Sequence, residues 1–195
     1  MPKNFKLHIG KKNINIVPET KYLGITFDCH LRFETEIINK VKKTKYLIFV
    51  LSTLSTILPL NSLRTIMFGL YYSVATYGII AWGSSNKTLL SLLTRVHDKI
   101  MKIVYKRNDK TDIPLDLENK YILEALIYHY STLADNYKKS QSITRNKSIM
   151  LPKVFKEIGR RNHYYIATIH FNKLQTELKY TSNFKSKFSK YLKNL

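Results

Sequence analysis

Residues 61–82, NSLRTIMFGLYYSVATYGIIAW, are apolar almost all the way around a helix, and either a membrane span or the central helix of a buried core could use such a run. Its stretch from Thr65 to Trp82 is close to the minimum spanning length and carries Thr65, Gly69, Ser73, Thr76 and Gly78, with Arg64 at its edge, so the run is read as a core helix. Pro59 breaks the chain before it, Asn61 or Ser62 can cap it, and residues 83–86, GSSN, follow as a connector. Upstream, from about Phe33, a helix carries Ile37, Val41, Ile48 and Leu51 at helical spacing, with Lys40, Lys42, Lys43 and Lys45 off that stripe. Downstream, a helix from about Lys87 to Lys106 turns Leu89, Leu93, Val96, Ile100 and Ile103 inward, and a polar loop over 107–114 follows. Another helix over 121–137 buries Ile122, Leu126 and Leu133, residues 138–153 read as a basic linker, and two short helices follow from about His163. The two are separated near Thr181, with Ser182 able to cap the last.

Before Phe33 the period is two. Phe5, Leu7 and Ile9 alternate, residues 10–13 supply turn chemistry, Ile14 and Ile16 resume the alternation, and Pro18 closes the hairpin. A third short strand is expected over 22–27, and residues 28–30 break it. The expected fold is mainly α: a helical bundle with an amino-terminal β-hairpin, three short strands in all. Its units would be 1–30 (hairpin and strand), 31–110 (helical bundle), 111–137 (a further helix) and 138–195 (a basic helical region).

Across 195 residues, 33 Lys and Arg stand against 13 Asp and Glu, a formal net charge of +20. Such an excess repels itself in a compact fold, so a polyanionic partner is expected: RNA, DNA or an RNA–DNA hybrid before an anionic membrane surface. Arg95, Lys99, Lys102 and Lys106 recur at three- and four-residue spacing and form a ribbon beside the apolar stripe of their helix. From Lys138 onward fourteen basic residues, among them Arg145, Lys147, Arg160 and Arg161, stand against two acidic ones. Aromatics are interleaved with them, as single-stranded nucleic acid requires, although most of these rings read as the core of a small helical subdomain. Cys29 is the single cysteine, so no internal disulfide can form. The amino terminus lacks the apolar run of a signal peptide, and an intracellular location, the nucleus included, is expected.

No catalytic residue is read. Two-metal polynucleotide synthesis needs closely placed carboxylates on rigid strands, and Asp28, Asp98, Asp109, Asp112, Asp116 and Asp135 include no adjacent pair. The six histidines fall in no metal-ligand spacing, and there is no phosphate-binding glycine loop. No cofactor or metal is expected in this chain.

Residues 20–28, TKYLGITFD, followed by Leu31-Arg32-Phe33, resemble the segment that closes the palm of non-LTR retrotransposon reverse transcriptases. The likeness continues through Leu58-Pro59 and Leu70-Tyr71-Tyr72-Ser73. Residues 77–83, YGIIAWG, are similar to the Tyr-Gly-x-x-x-Trp-Gly signature of jockey-like elements. The helix with the basic ribbon, then Thr144-Arg145-Asn146-Lys147, Pro152-Lys153 and Phe171-Asn172-x-Leu174, extend it over nearly the whole chain. Phe171 stands where the family usually has Trp, and Gln175 where it has Pro. The resemblance implies an RNA-directed DNA polymerase whose catalytic aspartates, with their divalent metal, lie in an upstream palm domain. This chain would then be the end of that palm, the thumb and the carboxy-terminal region. It implies a primer grip at Lys21, Tyr22 and Gly24, with Lys21 meeting a phosphate and Tyr22 a sugar or base; strand packing is the plainer reading of Tyr22, Leu23 and Ile25, and is the one expected for Leu23 and Ile25. Lys40, Lys43 and the α-helical ribbon would hold the template–primer backbone. An independent RNA- or DNA-binding protein, or a non-functional fragment derived from such an element, stays open as the alternative.

Overall fold

The computed structural model describes residues 7–15, 17–105, 113–143, 148–154, 157–160, 162–174, 179 and 183–193. It is mainly helical, with two antiparallel hairpins at the amino-terminal end. In the first, β1 (Leu7–Ile9) pairs with β2 (Lys12–Ile14), Ile9 opposite Lys12, so Gly10 and Lys11 form the turn. Phe5 and Ile16, expected in this hairpin, lie outside the described residues.

The expected third strand is instead folded back on itself. β3 (Glu19–Tyr22) pairs with β4 (Ile25–Asp28), Tyr22 opposite Ile25, around a two-residue turn at Leu23 and Gly24. Both turn residues have positive φ, 48° and 82°, the geometry whose twist matches that of paired strands. Leu23 therefore sits at the hairpin tip, 71% exposed, rather than packing in a strand, whereas Ile25 is buried as expected. After β4 the Asp28 carboxylate accepts from the backbone N–H groups of His30, Arg32 and Phe33 and turns the chain into the first long helix.

That helix, α1 (Glu34–Leu54), is followed by α2 (Leu60–Ile66), a π-helical turn (Met67–Tyr72), α3 (Ser73–Thr76), α4 (Ile79–Trp82) and α5 (Lys87–Val104). Then come α6 (Leu117–Ile143), α7 (Glu157–Arg160), α8 (His163–Lys173) and α9 (Phe184–Lys193). The run over 61–82 is thus a buried helical segment, but not one helix. It starts at Leu60 directly after Pro59, with no cap from Asn61 or Ser62, widens through the π-helical turn, and breaks at Tyr77-Gly78. Among the described residues no helix is long and apolar enough to cross a membrane. α6 reaches further than expected at both ends, so the first residues of the expected 138–153 linker are helical. Most of the loop over 107–114, and Thr181 and Ser182, lie outside the described residues.

Two cores result. Ile37, Leu51, Met67, Tyr71, Trp82, Leu93 and Ile100 centre the first, where α1 packs against α5. Leu126, Leu133, Ala167, Phe171 and Phe188 centre the second, where α8 and α9 pack against α6. α6 gives Leu117 and Tyr121 to one and Leu126 and Leu133 to the other, and Ile166 touches both.

Candidate nucleic-acid interface

The corner where the β3–β4 hairpin meets the helical bundle is organised by a buried charge. Lys40 is 4% exposed, and its Nζ lies 3.5 Å from Glu36 Oε1. The same ammonium donates to the carbonyls of Val74 and Tyr77, 3.0 Å each, where the 61–82 segment breaks. It stands 5.2 Å from the centre of the Trp82 ring, within cation–π range. Glu36 in turn accepts from the backbone N–H of Thr26 on β4 at 2.9 Å. Burial pushes the Lys40 amine below its usual range, against the pull of Glu36. Lys40, expected to contact nucleic acid, is therefore corrected to a structural residue: its donors are spent inside the protein, joining β4, α1 and the break after α3.

Two further features fix the same corner. The Tyr77 hydroxyl donates to the Leu23 carbonyl at 2.7 Å across 54 residues of sequence, and the Trp82 indole N–H donates to the Tyr77 carbonyl at 2.9 Å. Gly78 has φ +63°, and a Cβ there would lie 2.2 Å from Ile25 Cδ1; a Cβ on Gly83 would lie 2.5 Å from the Ile79 carbonyl oxygen and 2.5 Å from the Tyr121 ring. The Tyr-Gly-x-x-x-Trp-Gly pattern is thus a backbone requirement: it seats the β3–β4 hairpin on the helical bundle.

Where the hairpin meets α1 and α3, a groove of 390 Å³ is lined by Lys21, Gly24, Thr26, Asn39, Lys43 and Tyr77, together with the paired Glu36 and Lys40. Lys21 and Lys43, both exposed, come together here although 22 positions separate them. Tyr22 stands at the hairpin end, 65% exposed. α1 continues from this groove. Its buried side carries Ile37, Lys40, Thr44 and Leu51, and its solvent side carries Lys42, Lys45, Tyr46 and Phe49. Tyr46 and Phe49 are 67% and 72% exposed. The sequence pattern sets the lysines off the apolar stripe but does not single out these two rings; the four-residue spacing of Lys42 to Tyr46 and of Lys45 to Phe49 is the signal that could have found them.

Arg95, Lys99 and Lys102 are exposed on α5, off the buried stripe of Leu93, Val96, Ile100 and Val104. Because α1 and α5 pack through their buried sides, this ribbon and the Lys42–Phe49 face look away from each other. Arg95 borders a different cavity, of 520 Å³, with Lys87, Trp82, Tyr121 and Ile166. Arg160 is exposed on α7; Lys106, Arg145, Lys147 and Arg161 lie outside the described residues. In the tail, Phe171, Phe184 and Phe188 are buried, as core rings should be. The Lys179 ammonium, buried too, lies 4.3 Å from the centre of the Tyr137 ring.

Among the described residues no group of three or more His, Cys, Asp and Glu could hold a metal ion. Asp28, which ends β4, is committed to the turn it caps: slight burial opposes its ionisation, but the backbone donors of Arg32, Phe33 and His30 outweigh this and hold the carboxyl below its usual range. Fold and groove together define a basic, mainly helical module with a hairpin-built groove. No known family model, curated protein or solved structure matches the chain.

Proposed function

We propose that this chain is the template–primer-holding, carboxy-terminal part of an RNA-directed DNA polymerase of a mobile element, a thumb-like bundle without the catalytic carboxylates. One observation carries the reading. The two sequence runs on which the resemblance rests, residues 20–28 and 77–83, meet through the Tyr77–Leu23 hydrogen bond at a groove lined by Lys21 and Lys43. Lys21 and Lys43 are the exposed cations of this groove, whose one carboxylate, Glu36, is paired with Lys40, and contacts from such lysines to phosphates are indifferent to base identity, as a polymerase that must move along its product requires. Gly24, with a positive φ, lets the turn close against Tyr77 and leaves Lys21 at the edge of the groove. Polymerisation itself is assigned to the upstream palm domain.

The test is fluorescence anisotropy of the purified chain with a labelled RNA–DNA hybrid across a salt titration. Binding should weaken steeply with salt and vary little with sequence, and Lys21→Gln and Lys43→Gln should each lower the slope of log affinity against log salt by about 0.9. A folded chain that fails to bind at low salt overturns the proposal, as does a double variant with an unchanged slope.

A further inference from the structure

The solvent side of α1 has a composition that neither a core nor an ordinary solvated helix requires. Phe49 and Tyr46 are among the most exposed large hydrophobic side chains of the described residues, on a helix whose opposite side is engaged with the first core. Each ring lies four residues after a lysine: Lys42 with Tyr46, and Lys45 with Phe49. Residues four apart lie above one another on a helix, so the face presents two cation–aromatic units in succession. The units are offset by three residues, about 4.5 Å of helix rise, between the spacing of stacked bases and that of an extended strand. No Asp or Glu occurs from residue 37 to residue 97; the two carboxylates of α1, Glu34 and Glu36, stand in its first turn, and Glu36 is taken up by Lys40 and the Thr26 N–H.

We propose that this face binds single-stranded nucleic acid, with one base against Tyr46, the next against Phe49, and the phosphates between them held by Lys42 and Lys45. The proposal rests on the reading of the chain as a nucleic-acid binder and names the form of substrate for one surface. Charge argues against a second copy as the occupant, since two such faces would bring four lysines together with no acid among them. A duplex keeps its bases stacked inside and offers these rings nothing to stack on, whereas an unpaired strand offers both faces of each base. The lysines then anchor the strand irrespective of sequence and the rings distinguish single from double strands. The face continues from the groove at Asn39 and Lys43, so a strand leaving a duplex held there would pass along α1.

The test compares the wild-type chain with Tyr46→Ala/Phe49→Ala and with Lys42→Gln/Lys45→Gln. Each is titrated with a fluorescein-labelled oligothymidylate and with an RNA–DNA hybrid, with helicity checked by circular dichroism. The ring variant should lose roughly 10-fold in single-strand affinity per ring, keep its salt slope, and bind the hybrid as wild type does. The lysine variant should instead lose about 0.7 of salt slope per residue on the single strand. An oligomer that dissociates in the ring variant while oligothymidylate binding stays unchanged overturns the proposal in favour of a protein partner. Unchanged single-strand affinity in a monomeric ring variant overturns it while leaving the hybrid-binding reading standing. A wild-type chain that binds neither probe overturns both.

Discussion

At the scale of single residues the corner where β4 meets the 61–82 segment depends on an absent Cβ. Gly78 combines a left-handed backbone with contact against Ile25, so an alanine there meets both a conformational penalty and a collision. Gly78→Ala should lower unfolding free energy by roughly 1–3 kcal/mol from the backbone alone, with overpacking in addition. Gly69, inside the π-helical turn, has an ordinary φ, and a methyl group added there would meet nothing within 4 Å, so Gly69→Ala should be neutral or slightly stabilising. Urea unfolding of the two variants checks this, and equal losses would mean that Gly78 is not the hinge of the corner. Neither role is visible in the letters: both glycines interrupt the same apolar run. The roles of Lys40 and Lys43 were equally hidden. They are three positions apart on one helix and both border the groove, yet Lys40 is buried against Trp82 and bonded to Val74 and Tyr77 while Lys43 is exposed, a difference that only the packing of α1 against the broken segment decides.

At the scale of elements, the periodic helices were legible and the interruptions were not. α5 carries a clean apolar stripe, and its start at Asn86, whose side chain accepts from the Thr88 N–H at 3.0 Å, falls where the connector was read. The 61–82 run has no polar side from which to detect a break. The β3–β4 turn was concealed because Leu23, a branched residue, occupies a left-handed position where Asn or Asp usually signals the turn. The pairing of α6 with α8 holds a feature no pattern announces: His129 Nε2 and His163 Nδ1 lie 2.7 Å apart with ring planes within 13°. At that separation near-parallel rings must meet edge to edge, so one imidazole donates and the other accepts. Burial holds His129 below its usual range, aided by His163; burial likewise lowers His97 on α5 and, with Lys173, His170 on α8. In all three the folded state disfavours the proton, so the unfolded chain binds more protons as pH drops below the ordinary value of 6.5. Stability should therefore be full above that value and decline as pH falls through the lowered folded-state range. Thermal unfolding followed from neutral pH toward pH ~5 checks this, and His129→Gln should flatten part of the decline. A melting temperature constant over that interval would show that these imidazoles take up protons equally in both states, against the lowering by burial.

At the scale of the whole molecule the surplus of cations was legible at once, while its arrangement was not. Composition gives +20, but only the structure separates the groove and α1 face from the α5 ribbon, and withdraws Lys40 and Lys179 from solvent. A chain with 33 Lys and Arg against 13 Asp and Glu carries a net charge of +20 however its ion pairs are arranged, and should be held together against its own field. Salt screens that field: the Debye length falls from about 30 Å at 0.01 M to about 8 Å at 0.15 M. The melting temperature of the free protein should accordingly rise by a few degrees over that interval. With an RNA–DNA hybrid present the dependence should reverse. A ligand that binds only the folded state stabilises it in proportion to the logarithm of its concentration over its dissociation constant, and salt raises that constant steeply. The two melting curves should converge as salt increases, the bound form starting higher and descending. If the free protein instead melts lower as salt rises, attractive pairs dominate its electrostatics, and the cation surplus is already compensated without a polyanion.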